Sequence, residues 1–285
     1  MLLTRIVVTS ILAIALTASA HASAVAKKSG AKLSVIGDDG PNLISLTSDG
    51  SAGEVVVEIN GAPLQSFIGV RDIVIATGGG DDSVDVRGIH IGGSLKVKTG
   101  SGGDSIRLSD VSSPTKRELF IGRNVDLDLG GQSNDRMDFE SVTNAGISIG
   151  GNVTIRRSEL VSAATGSGAH TMDTADLRIG GDLVVRAAKG VEHSITIDST
   201  SVCGATRILM GSEFDSVTLL RSTFVGNVTI ALGGSGDAVE FQSAASQCRF
   251  ESAVVVDGGP GNDNATALGG IFAQPITFKQ FEGAP

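Results

Sequence analysis

Residues Ile73–Asp110 read IVIATGGGDDSVDVRGIHIGGSLKVKTGSGGDSIRLSD. Two segments of this stretch, IVIATGGGDDSVDV and LKVKTGSGGDSIRL, match position by position: an apolar strand, a Gly-rich turn, an acid, then Ser and a second alternating strand. The second segment begins at Leu95, 22 residues after Ile73. A period of this length is typical of solenoids, because each coil buries its apolar face only by stacking on its neighbours.

The repeat continues along most of the chain, with three short strands in each coil. Apolar residues at every second position place one face of each strand inward. Three sides joined at Gly-rich corners predict an all-β fold, a single-domain, right-handed parallel β-helix with capped ends and about 22–30 residues per coil. The longer coils are predicted to carry insertions in SSPTKRE, SVTNA and SELVSAATGSG. The coils are predicted to begin at Ile73, Leu95, Val125, Val153, Leu183, Thr206 and Val228, and near Ala253.

Opposite charges at the outward positions support this register. Residues that face each other across adjacent strands stabilise a sheet by a few tenths of a kcal/mol when their charges are opposite. The predicted neighbours are Lys96 with Asp126, Lys98 with Asp128, and Asp128 with Arg156.

Four segments are predicted along the chain. Residues 1–24 combine Arg5, an apolar run and small residues near the end, the pattern of a secretory signal peptide, and the run is too short to span a bilayer. Residues 25–72 are an N-terminal cap with a degenerate first coil, 73–264 form the β-helix, and 265–285 add a C-terminal strand and cap. We therefore expect a soluble protein, secreted, periplasmic or at the cell surface, without a transmembrane segment, and the short leader favours a bacterial host.

The amino-acid composition limits the classes of partner that the protein is expected to bind. The formal net charge is −9, and an acidic chain repels phosphate backbones, which argues against nucleic acid as a partner. Trp and Tyr are absent, so Phe is the aromatic residue left to form a platform for a sugar ring. The sequence identifies no partner, and cell-surface or matrix components are the candidates.

The two cysteines are predicted to be unpaired. An exported protein favours disulfides, but the register puts Cys203 and Cys248 two coils apart, roughly 9–10 Å at strand spacing. A disulfide needs Cα atoms within about 7 Å. We expect two free, largely buried thiols.

One turn position repeats as a column of acids and imidazoles. Adjacent members are about 4.8 Å apart, so neighbouring carboxylates repel each other unless something offsets their charge. One explanation is turn chemistry, since Asp and His tolerate tight turns and accept hydrogen bonds from nearby amides. The column contains Asp82, Asp104, Asp135, His170, His193, Asp215, Asp237 and Asp263.

A second explanation of the column is calcium. The turns TGGGDDSV, TGSGGDSI, LGGSGDAV and DGGPGNDNA resemble the repeats of hemolysin-type calcium-binding (RTX) proteins, in which glycine carbonyls and an Asp carboxylate hold Ca²⁺. The resemblance implies Asp82, Asp104, Asp237 and Asp263 as ligands, and Asp215 occupies the same column. RTX units recur about every nine residues and supply two turns per coil, whereas this chain supplies one.

A third explanation uses the histidines. His170, His193 and Asp215 follow one another in the predicted column, and these residue types serve in zinc sites and in acid–base sites. A straight column gives diverging side chains, whereas a transition-metal site needs converging ones.

Three classes of function are compatible with this sequence. The chain as a whole resembles exported parallel β-helix repeat proteins, and the resemblance implies a fold but no activity. The first class is a noncatalytic structural or binding rod at the cell surface or outside the cell, which the evenness of the coils favours. The alternatives are a calcium-binding module and a polysaccharide lyase or hydrolase, the latter with Lys116, Arg117, Glu118, Arg156 and Arg157 near a groove.

Overall fold

The computed structural model describes residues 24–111, 117–130, 134–141, 145–158, 160–165, 177–187, 190, 192–241, 248–267 and 270–281. These residues form β-strands and turns, and they include no helix. Accordingly, none of the described segments is a helix long and apolar enough to cross a bilayer. Of the predicted signal peptide, residues 1–23 lie outside the described residues.

The strands stack into three sheets, as the predicted β-helix requires. The first sheet contains, in spatial order, Val25–Ser29, Lys32–Ile36, Asp72–Gly79, Leu95–Ser101, Val125–Asp128, Val153–Ser158, Leu183–Ala187, Thr206–Leu209, Val228–Ala231, Val254–Asp257 and Thr277–Lys279. The second contains Gln65–Phe67, Val55–Ile59, Leu43–Thr47, Ser83–Arg87, Ser105–Ser109, Arg136–Ser141, Leu160–Thr165, His193–Asp198, Asp215–Leu220, Ala238–Phe241 and Asn264–Ala267. The third contains His90–Ile91, Leu119–Ile121, Ile147–Ile149, Leu177–Ile179, Thr200–Val202, Thr223–Phe224, Arg249–Phe250 and Ile271–Phe272.

The predicted register of the first sheet is confirmed. Ile73 pairs with Leu95, and the coil starts then pair in sequence down to Val228 with Val254. The predicted outward neighbours also face each other across these strands. Ion pairs on this face include Lys96 with Asp126, Arg156 with Asp126, and Arg157 with Asp128.

The two ends of the stack differ from its middle. At the N-terminal end, Val25–Ser29 pairs antiparallel with Lys32–Ile36, and Leu43–Thr47, Val55–Ile59 and Gln65–Phe67 form an antiparallel meander. At the C-terminal end, Thr277–Lys279 continues the parallel first sheet, and Phe278 and Phe281 pack edge to face with ring centroids 5.4 Å apart.

One predicted insertion is wrong in part. The sequence SELVSAATGSG was assigned to a loop, but Leu160–Thr165 is a strand of the second sheet, paired with Arg136–Ser141 on one side and His193–Asp198 on the other. The physical reason is that a solenoid leaves no gap in a sheet: without this strand, the backbone groups of both neighbours would lack partners.

The prediction of unpaired cysteines is confirmed, and that of their burial is wrong for one of them. Both thiols are free, and Cys248 is buried, but Cys203 is exposed. Cys203 follows the buried Val202 at the end of a strand, so alternation turns its side chain outward.

Candidate functional site

A column of buried side chains follows the turn between the first and second sheets, and we call it the aspartate ladder. Each carboxylate of the ladder accepts a hydrogen bond from the backbone N–H of the residue at the same step of the preceding coil, at 2.8–3.0 Å. All members are at most 3% exposed. The described members are Asp82, Asp104, Asp135, His193, Asp215, Asp237 and Asp263.

Strand alternation and glycine together place these carboxylates inside. In the second coil, Asp104 is buried, Ser105 is partly exposed and Ile106 is buried, so the acid belongs to the inward set of the strand it precedes. The turn before it stacks directly on the turn below. Gly130 has φ +95°, and a Cβ there would lie 1.6 Å from the carbonyl oxygen of Gly100, so no other residue fits.

At the first step of the ladder, protein groups donate hydrogen bonds to both carboxylate oxygens of Asp82. Asp82 accepts hydrogen bonds from the amide N–H of Asn42 at 2.8 Å and from its side-chain amide at 3.0 Å. The hydroxyl of Thr77 donates to the second carboxylate oxygen of Asp82. This step therefore has the hydrogen bonds expected of turn chemistry.

At other steps of the ladder, one of the two carboxylate oxygens accepts no hydrogen bond from the described residues. The Oδ2 atoms of Asp237 and Asp263 are buried and have no hydrogen-bond partner among the described residues. Burial raises the pKa of Asp237 to about 6; the amide of Asp215 lowers it, and the charges of Asp215 and Asp263 raise it further. Burial also raises the pKa of Asp104.

The metal predictions for the column stay predictions. In the described part of the chain, His, Cys, Asp and Glu side chains form no group of three that could hold a metal ion. The ladder does bring the predicted ligands His193 and Asp215 into contact, whereas His170 lies outside the described residues. Arg136, Leu160 and Ser194 pair in a row across the second sheet.

The ridge of turns beside the ladder is interrupted in one coil. A single residue joins Val153–Ser158 to Leu160–Thr165, whereas seven join Val125–Asp128 to Arg136–Ser141 and five join Leu183–Ala187 to His193–Asp198. The flanking turns border an open depression of about 570 Å³ at this coil, which we call the notch. It is lined by Asn134, Asp135, Arg136, Glu192, His193, Ser194, Phe214 and Ser216.

A buried histidine–aspartate pair lies at the notch. His193 Nδ1 is 2.8 Å from Asp215 Oδ1, and both side chains are fully buried. Asp215 also accepts the amide N–H of His193 at 3.0 Å and, at its other oxygen, that of Gly211 at 2.9 Å. Because a carboxylate bonded in this way needs donors, Nδ1 carries the proton, and Nε2 has no hydrogen-bond partner among the described residues.

Of the residues predicted near a groove, Arg156 and Arg157 belong to the first sheet, whereas Arg117 and Glu118 lie between the second and third sheets. Arg156 pairs with Asp126 at 2.9 Å, and the Nε atom of Arg157 donates to Asp128 at 2.7 Å. Arg117 donates to the backbone carbonyl of Ser48, and Glu118 is exposed, whereas Lys116 lies outside the described residues. The arginines of the first sheet therefore act in ion pairs between coils.

The notch is the feature that the sequence patterns did not predict. The sequence does indicate a strand at this point, because Val161 and Ala163 are apolar residues two positions apart. They pair with Met137 and Phe139 of the neighbouring strand. The strand starts at Leu160, two positions after Ser158, so the described residues of this coil include no Gly-rich turn between the two strands.

No protein-family model, curated protein or solved structure matches this chain, so the geometry of the ladder and the notch carries the functional argument.

Proposed function

We propose that this protein is an exported, noncatalytic β-helix that acts as a structural or binding rod at the cell surface or outside the cell. The observation that carries the proposal is the aspartate ladder. Its carboxylates accept backbone N–H groups from the preceding coil, so each coil is fastened to the next inside the core as well as through the sheets.

This arrangement favours stiffness without a bound ion. Hydrogen bonds to a charged acceptor contribute about 1.5–3 kcal/mol each, more than a neutral pair, and burial protects them from competing water. The first sheet contains 11 strands, so ten steps of about 4.8 Å give a rod roughly 48 Å long. Ion pairs between coils, such as Arg157 with Asp128, add smaller contributions at the surface.

A calcium-binding module is the second candidate, and one observation favours it. The free Oδ2 atoms of Asp237 and Asp263 belong to adjacent coils, and carboxylate oxygens are the ligands that Ca²⁺ prefers. A full site needs six to eight oxygens, so water would have to supply most of them.

The lyase or hydrolase alternative draws its support from the notch. Asp215 orients His193 as in a general-base pair, but both side chains are fully buried and Nε2 does not reach a substrate in the notch. The hydroxyls of Ser194 and Ser216 make no hydrogen bond to Nε2, so the structure contains no activated serine at this point. Binding is the simpler use of the notch.

Two measurements test the rod proposal. The full chain is expressed with its leader, and the N-terminal sequence of the exported protein is determined; we expect it to start at Val25. Thermal unfolding of that mature protein is then followed by circular dichroism in EDTA and in millimolar calcium. We expect equal melting temperatures, since a ligand stabilises only the state that binds it.

Either measurement can overturn the proposal. Retention of the protein inside the cell with an intact leader would exclude export. A higher melting temperature in calcium that is lost in Asp237→Asn, and kept in the exposed control Glu213→Gln, would replace the rod with a calcium-dependent module.

A further inference from the structure

The first sheet is basic, although the chain as a whole is acidic. The chain contains 22 Lys and Arg against 31 Asp and Glu. In the strands of the first sheet the balance is reversed, and the acidic excess of the protein therefore lies elsewhere. The cations of these strands are Lys27, Lys28, Lys32, Lys96, Lys98, Arg156, Arg157, Arg186, Arg207 and Lys279, and the anions are Asp72, Asp126, Asp128 and Asp257.

The middle of this face, from Leu95–Ser101 to Thr206–Leu209, presents neighbouring arginines, and we call it the basic strip. Arg186 lies directly opposite Arg156 on the adjacent strand. Arg186 pairs on its other side with Leu209, so Arg207 lies diagonal to it, roughly 7–8 Å away. Like charges directly opposite each other destabilise a sheet, so this arrangement favours an anion that bridges them.

Carboxylates within the strip offset part of its charge. Asp126 is shared by Lys96 at 3.7 Å and by Arg156 at 2.9 Å. Lys98 and Arg186, in contrast, are exposed and form no ion pair with any described residue. The strip therefore has cations in water that an anionic partner can bind.

The spacing of the two unpaired cations favours a polymer over a small anion. The strand register places Lys98, Asp128, Arg156 and Arg186 in one row along the stack. Three strand spacings separate Lys98 from Arg186, which is roughly 14 Å. One small anion cannot contact both, whereas a linear chain with repeated acidic groups can.

The borders and the surface of the strip argue against nucleic acid and against a lipid surface. The strand Thr206–Leu209 is about 13 Å long, and acids lie at both ends of the strip, with Asp182 before the strands and Glu213 in the turns after them. A DNA duplex, with one charge per about 1.7 Å of axis, would overlap these acids. A lipid surface is bound through inserted apolar side chains, and no large apolar residue of the described strip is exposed.

We propose that the basic strip binds a linear polysaccharide that carries carboxylates, with its acidic groups paired to Lys98 and Arg186. An arginine binds a carboxylate through two parallel hydrogen bonds, which gives the contact a defined geometry. Sheets recognise extended peptides at an edge, whereas the strands of the strip are paired on both sides, so an acidic peptide fits less well. The inference rests on the proposed function, because it names the partner that the rod would hold outside the cell.

The experiment uses the purified mature protein in EDTA and three acidic polysaccharides: polygalacturonate, alginate and hyaluronate. Binding is measured by isothermal titration calorimetry, with dextran as the neutral comparison. We expect at least one acidic polysaccharide to bind and dextran not to bind. Binding should weaken as salt rises, since the Debye length falls from about 10 Å at 0.1 M to about 3 Å at 1 M.

Two double variants with the same change in net charge separate the strip from the rest of the surface. Lys98→Gln with Arg186→Gln is expected to weaken binding at least about tenfold, which corresponds to 1.4 kcal/mol. Arg178→Gln with Arg249→Gln removes two exposed cations of the third sheet, and it should leave binding within about twofold of the native value. Circular dichroism of both variants checks that the fold is kept.

Three results would overturn the assignment. The first is the absence of binding to all three acidic polysaccharides at low salt. The second is an equal loss of binding in the two double variants. The third is tighter binding of DNA, polyglutamate or phosphatidylserine vesicles than of the polysaccharides. None of these results alters the export or melting measurements, so a failure of this inference is distinguishable from a failure of the rod proposal.

Discussion

Asp215 accepts two hydrogen bonds from His193 at the same oxygen, one from the backbone N–H at 3.0 Å and one from the imidazole Nδ1 at 2.8 Å. The first bond is the ladder contact that recurs from coil to coil, and the second is added by the histidine. One carboxylate therefore fastens two coils together and also sets the proton position of a side chain at the notch.

Asp215→Asn is expected to destabilise the protein by roughly 2–4 kcal/mol, because an amide cannot accept from the N–H of His193, the imidazole and the N–H of Gly211 together. Urea unfolding followed by circular dichroism measures the loss. The control, Glu213→Gln, makes the same charge change at an exposed site in the same turn and should cost less than about 0.5 kcal/mol. Equal losses in the two variants would show that the bonds of Asp215 are not needed.

Asp237 is expected to make stability fall as pH rises. Burial raises the pKa of this carboxyl from 3.8 to about 6, so the native state holds the proton more tightly than the unfolded state does. Between about pH 4 and 6 the native state binds more protons, and the free energy of unfolding therefore decreases through this window and levels off above it. The stabilisation is fully present below the pKa of the unfolded state and is lost above that of the folded state, and a shift from 3.8 to about 6 corresponds to about 3 kcal/mol.

The comparison for this prediction is the variant Asp237→Asn, which has no proton to lose. Urea midpoints of both proteins are measured across the same pH range, and the difference between them isolates this carboxyl from other titrating groups. We expect native protein to lose stability relative to the variant as pH rises through the window. A difference that stays constant with pH would mean that Asp237 titrates normally.

The repeat made most of the fold predictable. Ile73 and Leu95 begin matching segments, and one alignment then fixed the register of the first sheet and the burial of its alternating residues. The column of aspartates was predictable from the same alignment, and hydrogen bonds from amides were one of its explanations, but the donor, the backbone N–H of the preceding coil, was not predictable. Whether Asp104 turns outward to an ion or inward to an amide depends on backbone geometry that the residue type leaves open.

The notch was not predicted because a Gly-rich segment nearby in the sequence was misleading. In most coils a Gly-rich segment marks the turn before the second strand, and GSG at residues 166–168 imitates that mark. The true strand begins earlier, at Leu160, where Leu-Val-Ser-Ala shows only weak alternation. Pairing across the sheet outweighs such a local signal, because both neighbouring strands need partners there.

Gly100→Ala is expected to destabilise the protein by at least about 3 kcal/mol or to prevent folding. Gly100 has φ +107°, and an added Cβ would lie 1.7 Å from the carbonyl oxygen of Gly78 in the coil below. The matched control is Gly61→Ala, at φ +71° with open space around it, which should cost about 1–2 kcal/mol through backbone strain alone. Chemical unfolding of the two variants measures the difference, and similar costs would argue against close stacking of the turns.

Native protein is expected to react with one equivalent of a thiol reagent, and unfolded protein with two. Cys203 is exposed, whereas Cys248 is fully buried, and burial raises the pKa of its thiol to about 11. The thiolate is the reactive form, so Cys248 is both inaccessible and protonated near neutral pH. Titration with Ellman's reagent, with and without guanidinium, counts the thiols, and Cys203→Ser should reduce the native count to none. A chain that gives no free thiol even when unfolded would contain a disulfide, and the two-coil separation of the cysteines would then be wrong.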